Sequence, residues 1–483
     1  MKLSELVYEI EGAEVVGDIN VDVTGVQFDS RKLRSGDLFV AVSGTQVDGH
    51  NFIQKALENG VRSVVCERIP ADPPSNVTFV IVPDSSFALG ILAQNFFKKP
   101  STKLKVVGIT GTNGKTTAST LLYRFFSGIG HPVGLLSTIQ NYVADEVVPS
   151  THTTGDALQI ASLMAKMVEK GCSHCFMEVT SHAIDQNRIA GIKFDGAVFT
   201  NLTHDHLDYH KTFECYRDVK QSFFTSLPAG AFALTNASDA NGSYMVENCR
   251  ATVSTYGELG RDFKLEIAEL RADGTTIIIN GIKIDTQLVG AFNAYNMCVA
   301  FGVASLLGCE LDTIVNRLPL LAPVEGRMQK IVLANGAVGI VDFAHTPDAL
   351  EKALDTIRTS VGQKSRILTV VGCGGDRDRD KRPLMGEIAA RLSDSVVLTA
   401  DNPRSEDAGV IAEAMYSGVP IENQSRIQVI IDRRQAIERA CSEARPTDVV
   451  LVAGKGHEKY QEISGIRHPF DDAQVLRDLF NIA

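Results

Sequence analysis

The chain has 483 residues, 44 % of them hydrophobic and 22 % charged, with a formal net charge of −11 and no Trp. That length exceeds one ordinary core and predicts about three domains. The acidic balance argues against a broad basic face for nucleic acid or an anionic membrane, while leaving room for small anions at a local basic site. Residues 1–12 carry Glu5, Glu9 and Glu11 and no apolar stretch of the kind a signal peptide needs. No apolar run reaches the ~18 residues of a membrane span. Nine cysteines without a framework predict reduced thiols and a cytoplasmic setting.

Strand-like runs at 23–28, 38–42 and 63–66 surround a helix expected over 52–59. Turn chemistry separates them at Asp29-Ser30-Arg31, Ser35-Gly36-Asp37 and Asp48-Gly49-His50. This small α/β domain is taken as 1–100, ending at the basic, Pro-containing seam Lys98-Lys99-Pro100. The second segment, 101–323, opens with a strand over 104–110, a Gly loop and a helix over 115–128. Strands at 175–179, 197–201 and 232–236 then alternate with helices such as 156–170, which implies a parallel sheet covered on both faces. A second seam, Leu318-Pro319-Leu320-Leu321-Ala322-Pro323, opens the third segment, 324–483. There the runs 367–371, 395–399 and 449–453 end in turns rich in Gly and polar residues. Ligands bind beyond the carboxyl ends of parallel strands, so the three turns are expected to meet at one site.

The loop Gly111-Thr112-Asn113-Gly114-Lys115-Thr116-Thr117 predicts nucleotide binding. Its glycines let backbone N–H groups approach phosphate, Lys115 places a cation there, and Thr116 offers a hydroxyl to Mg²⁺. The helix start adds partial positive charge. The position five before Gly114 is Ile109 rather than Gly, so the match rests on its strand–loop–helix context. Glu178 closes a neighbouring strand and can face the loop to hold the metal. In the run from Asn201 to His210, His206 is read as a ligand of a hard cation. The alternative is a polar turn with Asp208 capping the next helix. Lys220, by itself, reads as a surface lysine on a helix. Cys172-Ser173-His174-Cys175 has no partner pair and reads as packed thiols, not zinc ligands. Gly372-x-Gly374 lacks the third Gly of a dinucleotide fingerprint, where Arg377 stands instead. Arg377 and Arg404, the latter held by Pro403, are candidates for gripping a carboxylate. The turn from Asp342 to Asp348 could hold ribose or adenine, or cap a helix.

Jointly these motifs resemble the Mur ligases over essentially the whole chain. The pieces are Gly108 to Thr117, Thr153-Thr154, Met177 to His182, Asn201 to His210, Val341 to Leu350, Gly372 to Pro383, Asp401 to Arg404 and Ala453 to Glu458. The resemblance implies an α/β fold of three domains. A central P-loop ATPase with a parallel sheet is flanked by a small N-terminal α/β domain and a C-terminal Rossmann-like α/β domain. It implies an ATP-dependent, ADP-forming ligase that makes an amide through an acyl phosphate, with two Mg²⁺. The branch resembled adds meso-2,6-diaminopimelate to UDP-N-acetylmuramoyl-L-alanyl-D-glutamate, in the cytoplasm and as a monomer.

Position by position, the resemblance assigns Ser30, Thr45, Gln46, Asp48 and His50 to the uridine-nucleotide side. Thr153, Thr154, Ser181, Gln186 and Arg188 look like muramoyl-dipeptide contacts. Thr116, Glu178 and His206 look like metal ligands, and Lys115 belongs with Glu178 and His206 in the catalytic set. Asn293, Arg327, Asp342 and His345 complete the ATP side. Lys220 matches a lysine N-carboxylated by CO₂, whose negative oxygens would face the metal. Arg377, Asp401, Asn402, Pro403, Arg404, Gly454 and Glu458 match the diaminopimelate set. Arg404 would pair with the far carboxylate and Glu458 would receive the far ammonium. His152 and Gly155 flank Thr153-Thr154 where relatives often have Asn and Pro, and Thr180 replaces a common Ser. Arg404 argues against a lysine-adding relative, and the first segment against a folylpolyglutamate synthase. A P-loop kinase or motor leaves the third segment's turns unexplained. A nucleotide-gated binding module would not need Lys115, Glu178, His206 and Lys220 together.

Overall fold

The computed structural model describes residues 1–44, 47–150, 152–271, 273–332, 336–362 and 364–479. Thr45 and Gln46, assigned above to the nucleotide side, lie outside them. Among the described residues the strands form sheets of five, eleven and six strands and one two-stranded hairpin. The α/β reading with large parallel sheets holds. No helix among the described residues is long and apolar enough to cross a membrane.

The first sheet orders its strands Glu14–Val16, Thr78–Ile81, Ser63–Cys66, Asp37–Val40 and Gly25–Gln27. The helix Ser85–Phe96 packs on it, started by Asp84, whose carboxylate accepts from Ser86 N and Phe87 N. In the second sheet the loop strand Lys105–Thr110 lies between His174–Glu178 and Gly196–Phe199, parallel to both. Alternate residues of that strand enter opposite cores, Val107 and Ile109 on one face and Val106 on the other. The two-sided apolar run is therefore legible as a buried parallel strand. Gly108 leaves room for a helix on one side: a Cβ there would stand 2.6 Å from the Phe223 ring. This close approach seats the helix Phe213–Thr225 under the loop.

The third sheet runs Gln329–Val332, Val338–Asp342, Val449–Ala453, Ile367–Val371, Ser395–Leu398 and Ile427–Val429, parallel except for its first pair. Asp342 and Val371 both pair in register with Ala453, and Val371 also pairs with Leu398, so four carboxyl ends align at one edge. The Asp376 to Arg382 run is not a uniformly solvated face. Lys381 and Arg382 are buried, and Arg382 is forked onto Glu406. All nine cysteines are free thiols, and burial pushes the Cys175 thiol up.

Partly buried histidines should give the fold an acid sensitivity. His174 stacks against Phe126 and Phe176, and burial lowers its pKa from 6.5 to about 4. As pH falls, the unfolded chain takes up this proton first. The stability it contributes is full above about 6.5 and is lost progressively toward about 4. We expect Tm to fall between pH 7 and pH 5, and His174→Phe to flatten that slope. An unchanged slope in the variant assigns the acid sensitivity elsewhere.

Candidate active site

The register of the central sheet makes the site. Glu178 pairs with Ile109 and Phe199 with Thr110, so the Gly loop, Glu178 and the segment after 199 emerge together. Gly111 has φ +149 and a Cβ there would lie 1.9 Å from Thr200 Oγ1. Gly114 has φ +89, and a Cβ there would lie 2.8 Å from Asn296 Oδ1. Both positions demand glycine for backbone and for space. Asn113 N donates to Asn201 Oδ1 at 2.9 Å, and the Asn113 amide reaches Asp348 of the third segment at 3.0 Å.

Lys115 turns its ammonium onto Gly111 O and Thr112 O at 2.8 and 2.7 Å, and burial lowers its pKa. Thr116 Oγ1 donates to Glu178 Oε2 at 3.0 Å. Thr138, which the sequence did not single out, donates its N–H to Glu178 Oε1 at 2.7 Å and its hydroxyl to the same carboxylate. Thr153 Oγ1 is hydrogen-bonded to Thr138 Oγ1 at 3.1 Å, and Thr154 Oγ1 donates to Glu178 O at 2.8 Å. Arg188 bonds Thr154 O and Gln186 Oε1. Ser181 Oγ meets His210 Nε2 at 2.9 Å. Glu178 is thus joined through threonines to Thr153, Thr154, Arg188 and Gln186 of the residues assigned to the muramoyl-dipeptide.

His206 sits at φ 56 before the short helix Leu207–His210, beside Asp205 at 3.3 Å and His182. Its pKa is lowered, burial being the main cause. Asp208 does not cap the following helix; Thr212 does, accepting from Cys215 N at 3.1 Å. The surface reading of Lys220 fails. It is 1 % exposed, because Tyr216, Phe223 and Phe224 put its helix face inward. Its amine lies 3.1 Å from Gly111 O, and burial first, then Lys115, hold its pKa well below the usual range.

On the other side of the loop, Arg327 is half-buried, donates to Thr116 Oγ1 at 3.0 Å and leaves its buried Nε without a partner among the described residues. Asp342 accepts from Met328 N at 2.7 Å, and burial raises its pKa. His345 bonds Phe343 O at 2.9 Å, and burial lowers its pKa to about 4. Asn293 and Arg327 border a cavity of about 260 Å³ with Thr117, Leu288 and Val324.

The third sheet's turns do meet. Asn402 Nδ2 donates to Glu458 Oε2 at 2.7 Å. Arg404, at φ 52, donates to Gly375 O at 2.6 Å. Arg377 is exposed, and its hydrogen bonding among the described residues is a single 3.5 Å contact with Asp376 O. Gly454 has φ +111 and stands against Asp401 Oδ2, a buried oxygen with no partner among the described residues. Lys381 Nζ donates to His345 O at 3.0 Å, tying the turn after 371 to the ATP side. In the first segment Ser30 is buried. Both His50 ring nitrogens are used inside the protein, on Asp48 Oδ1 at 2.7 Å and Glu67 N at 2.9 Å, and Asp48 also meets Arg68. The His50 ring therefore anchors its loop rather than offering a free polar atom.

Thr138 and Lys381 carried no local signal, since their partners lie 40 and 36 residues away, and Lys455 joins its near neighbour Glu458 to Asn402, 53 residues away. For a metal, the donors at the loop fit a hard cation: a hydroxyl and a carboxylate 3.0 Å apart at the foot of a phosphate loop. Among the described residues no three His, Cys, Asp or Glu side chains form a metal-holding group.

Three family profiles match: Mur ligase middle domain over 109–304, Mur ligase glutamate ligase domain over 326–456, and Mur ligase family catalytic domain over 22–97. The UDP-N-acetylmuramoyl-L-alanyl-D-glutamate–2,6-diaminopimelate ligase of Parabacteroides distasonis is 49 % identical, covering 100 % of this chain and 99 % of that protein. Its counterpart in Phocaeicola vulgatus is 47 % identical, covering 99 % of each. A solved structure of an enzyme of the same name aligns with TM-score 0.69 and 31 % identity over 100 % of this chain and 99 % of that one. A folylpolyglutamate synthase of Mycobacterium tuberculosis, solved with ADP and AMPPCP, shares the fold at TM-score 0.64 and 16 % identity over 82 % of this chain and 95 % of that one. With such identity sustained from end to end, the chain belongs to the Mur ligase family.

Proposed function

We propose that the protein joins meso-2,6-diaminopimelate to the D-glutamate of UDP-N-acetylmuramoyl-L-alanyl-D-glutamate, consuming ATP, in cytoplasmic peptidoglycan precursor synthesis. The full-length identity of 47 % and 49 % to relatives of that name carries this reading. Residues 1–100 take the uridine nucleotide, 101–323 the ATP, and 324–483 the amino acid, in a protein that acts as a monomer.

The loop Gly111 to Thr117 cradles the phosphates, with the Lys115 ammonium already beside the loop carbonyls. Asn293, Arg327, Asp342 and His345 receive the nucleoside side, next to the 260 Å³ cavity. The D-glutamyl carboxylate attacks the γ-phosphorus, ADP leaves, and an acyl phosphate forms. The amine of diaminopimelate then attacks the carbonyl carbon, and phosphate leaves with the C–O bond electrons. Thr153, Thr154, Ser181, Gln186 and Arg188 hold the dipeptide through the network around Glu178. Two Mg²⁺, held by Thr116, Glu178, His206 and a carboxylated Lys220, neutralise phosphate charge when bound. A carbamate on Lys220 fits its surroundings, because a neutral buried amine reacts with CO₂ and the product exchanges a repulsion with Lys115 for an attraction. Arg377, Asp401, Asn402, Pro403, Arg404, Gly454 and Glu458 form the amino-acid pocket.

The test is phosphate release by purified protein. It should require both the UDP-muramoyl-dipeptide and meso-diaminopimelate, with L-lysine a poor replacement. Release with neither acceptor substrate sinks the ligase reading; equal turnover with lysine sinks the specificity.

A further inference from the structure

Glu458 is not a free carboxylate waiting for a cation. Its Oε2 accepts from Asn402 Nδ2 at 2.7 Å and from Lys455 Nζ at 2.9 Å. Lys455 is fully buried, donates also to Asn402 Oδ1 at 3.0 Å and lies over the Tyr460 ring at 5.5 Å. Asn402 Oδ1 further accepts from Glu462 N at 2.9 Å. The amide of Asn402 is therefore oriented by three partners, and Glu458 is held through one oxygen only. Oε1 receives no hydrogen bond among the described residues, and the Glu458 side chain is 19 % exposed. A strut below fixes the same two turns: Arg433, paired with Asp472 in full burial, donates to Ala400 O at 3.3 Å and Ala453 O at 3.0 Å.

We propose that Lys455 is a specificity-determining positioning residue of the amino-acid pocket. This rests on the diaminopimelate reading above. Lys455 aims Glu458 by binding Oε2, leaving Oε1 for the ligand. It also supplies an internal counter-charge, so Glu458 attracts an incoming ammonium less than a bare carboxylate would. An amino acid whose far end bears only an ammonium has nothing for Arg404 and meets a carboxylate already neutralised. One whose far end bears a carboxylate as well pairs with Arg404 and needs Glu458 only for orientation. Discrimination against lysine thus arises on two sides of the pocket, at Arg404 and at Lys455.

The experiment measures kcat and KM for meso-diaminopimelate and L-lysine in parallel, for wild type, Lys455→Met and Lys455→Arg. Lys455→Met removes the charge and keeps the stem. Expected is a diaminopimelate KM raised about tenfold, a lysine KM lowered severalfold, and an ATP KM unchanged. Lys455→Arg should restore most of the preference. A Lys455→Met enzyme that loses both amino acids in equal proportion overturns the proposal, as does one that keeps the wild-type ratio. Thermal unfolding of each variant shows whether an equal loss is misfolding, and in that case Lys455→Gln repeats the ratio measurement. If the wild type itself does not use diaminopimelate, the functional reading fails instead, and this is seen before any variant is compared.

Discussion

Lys220→Met should lower ligation by about a thousandfold, the scale seen when a group stabilising developing charge is removed. Fold stability should hold or rise. The reason lies in the site: Lys220 is 1 % exposed, beside Gly111 O and in the field of Lys115. A bare ammonium there is costly, so replacing it with an apolar stem of similar length relieves desolvation rather than breaking a pair. The same burial favours the neutral amine that CO₂ requires. Wild-type activity should therefore decline in CO₂-free buffer and return with bicarbonate, and carbon-13 bicarbonate should label the chain. An active enzyme without the label removes the carbamate. A Lys220→Met variant that keeps full turnover removes Lys220 from the chemistry altogether.

Arg404→Ala should raise the diaminopimelate KM about a hundredfold or more, the cost of stripping one side of a desolvated charge pair. The ATP KM should change little. Arg404 sits at φ 52 with its own N–H on Glu462 O at 3.0 Å, and its carbonyl accepts from Ser464 N at 2.6 Å. These backbone bonds survive truncation, so the loop should keep its shape. Arg404→Lys should recover only part of the loss, because an ammonium lacks the planar fork that matches a carboxylate. Equal losses in both KM values point to misfolding and away from a ligand contact.

Much of this was legible locally. The strand Lys105–Thr110, the glycines after it and the helix Lys115–Gly128 are written in consecutive residues, and each obeys a rule of short range. Two-sided apolar runs at Ile367–Val371 and Val449–Ala453 announce parallel strands in the same way. What was not legible depends on which strands are neighbours. Thr138 gains its role only because Gly134 and Leu135 lie beside Cys175 and Phe176, which brings its N–H to Glu178. Lys220 looks like an exposed lysine until Gly108 admits Phe223 and draws the helix in. His50 carries a polar ring that sequence offers to a ligand and the fold gives to Asp48 and Glu67.

The nucleotide loop, the alternation of strand and helix, and the turns that end the third segment's strands were determined by sequence alone, because backbone propensity, period and glycine chemistry act within a few residues. Tertiary structure decided the rest: that Glu178 meets Thr116, that Arg327 reaches across to the loop, that Asn402, Lys455 and Glu458 form one hydrogen-bonded set. These contacts join residues 62, 211, 53 and 56 positions apart. Their geometry follows from sheet order and register, which the packing of whole domains selects and no local pattern encodes.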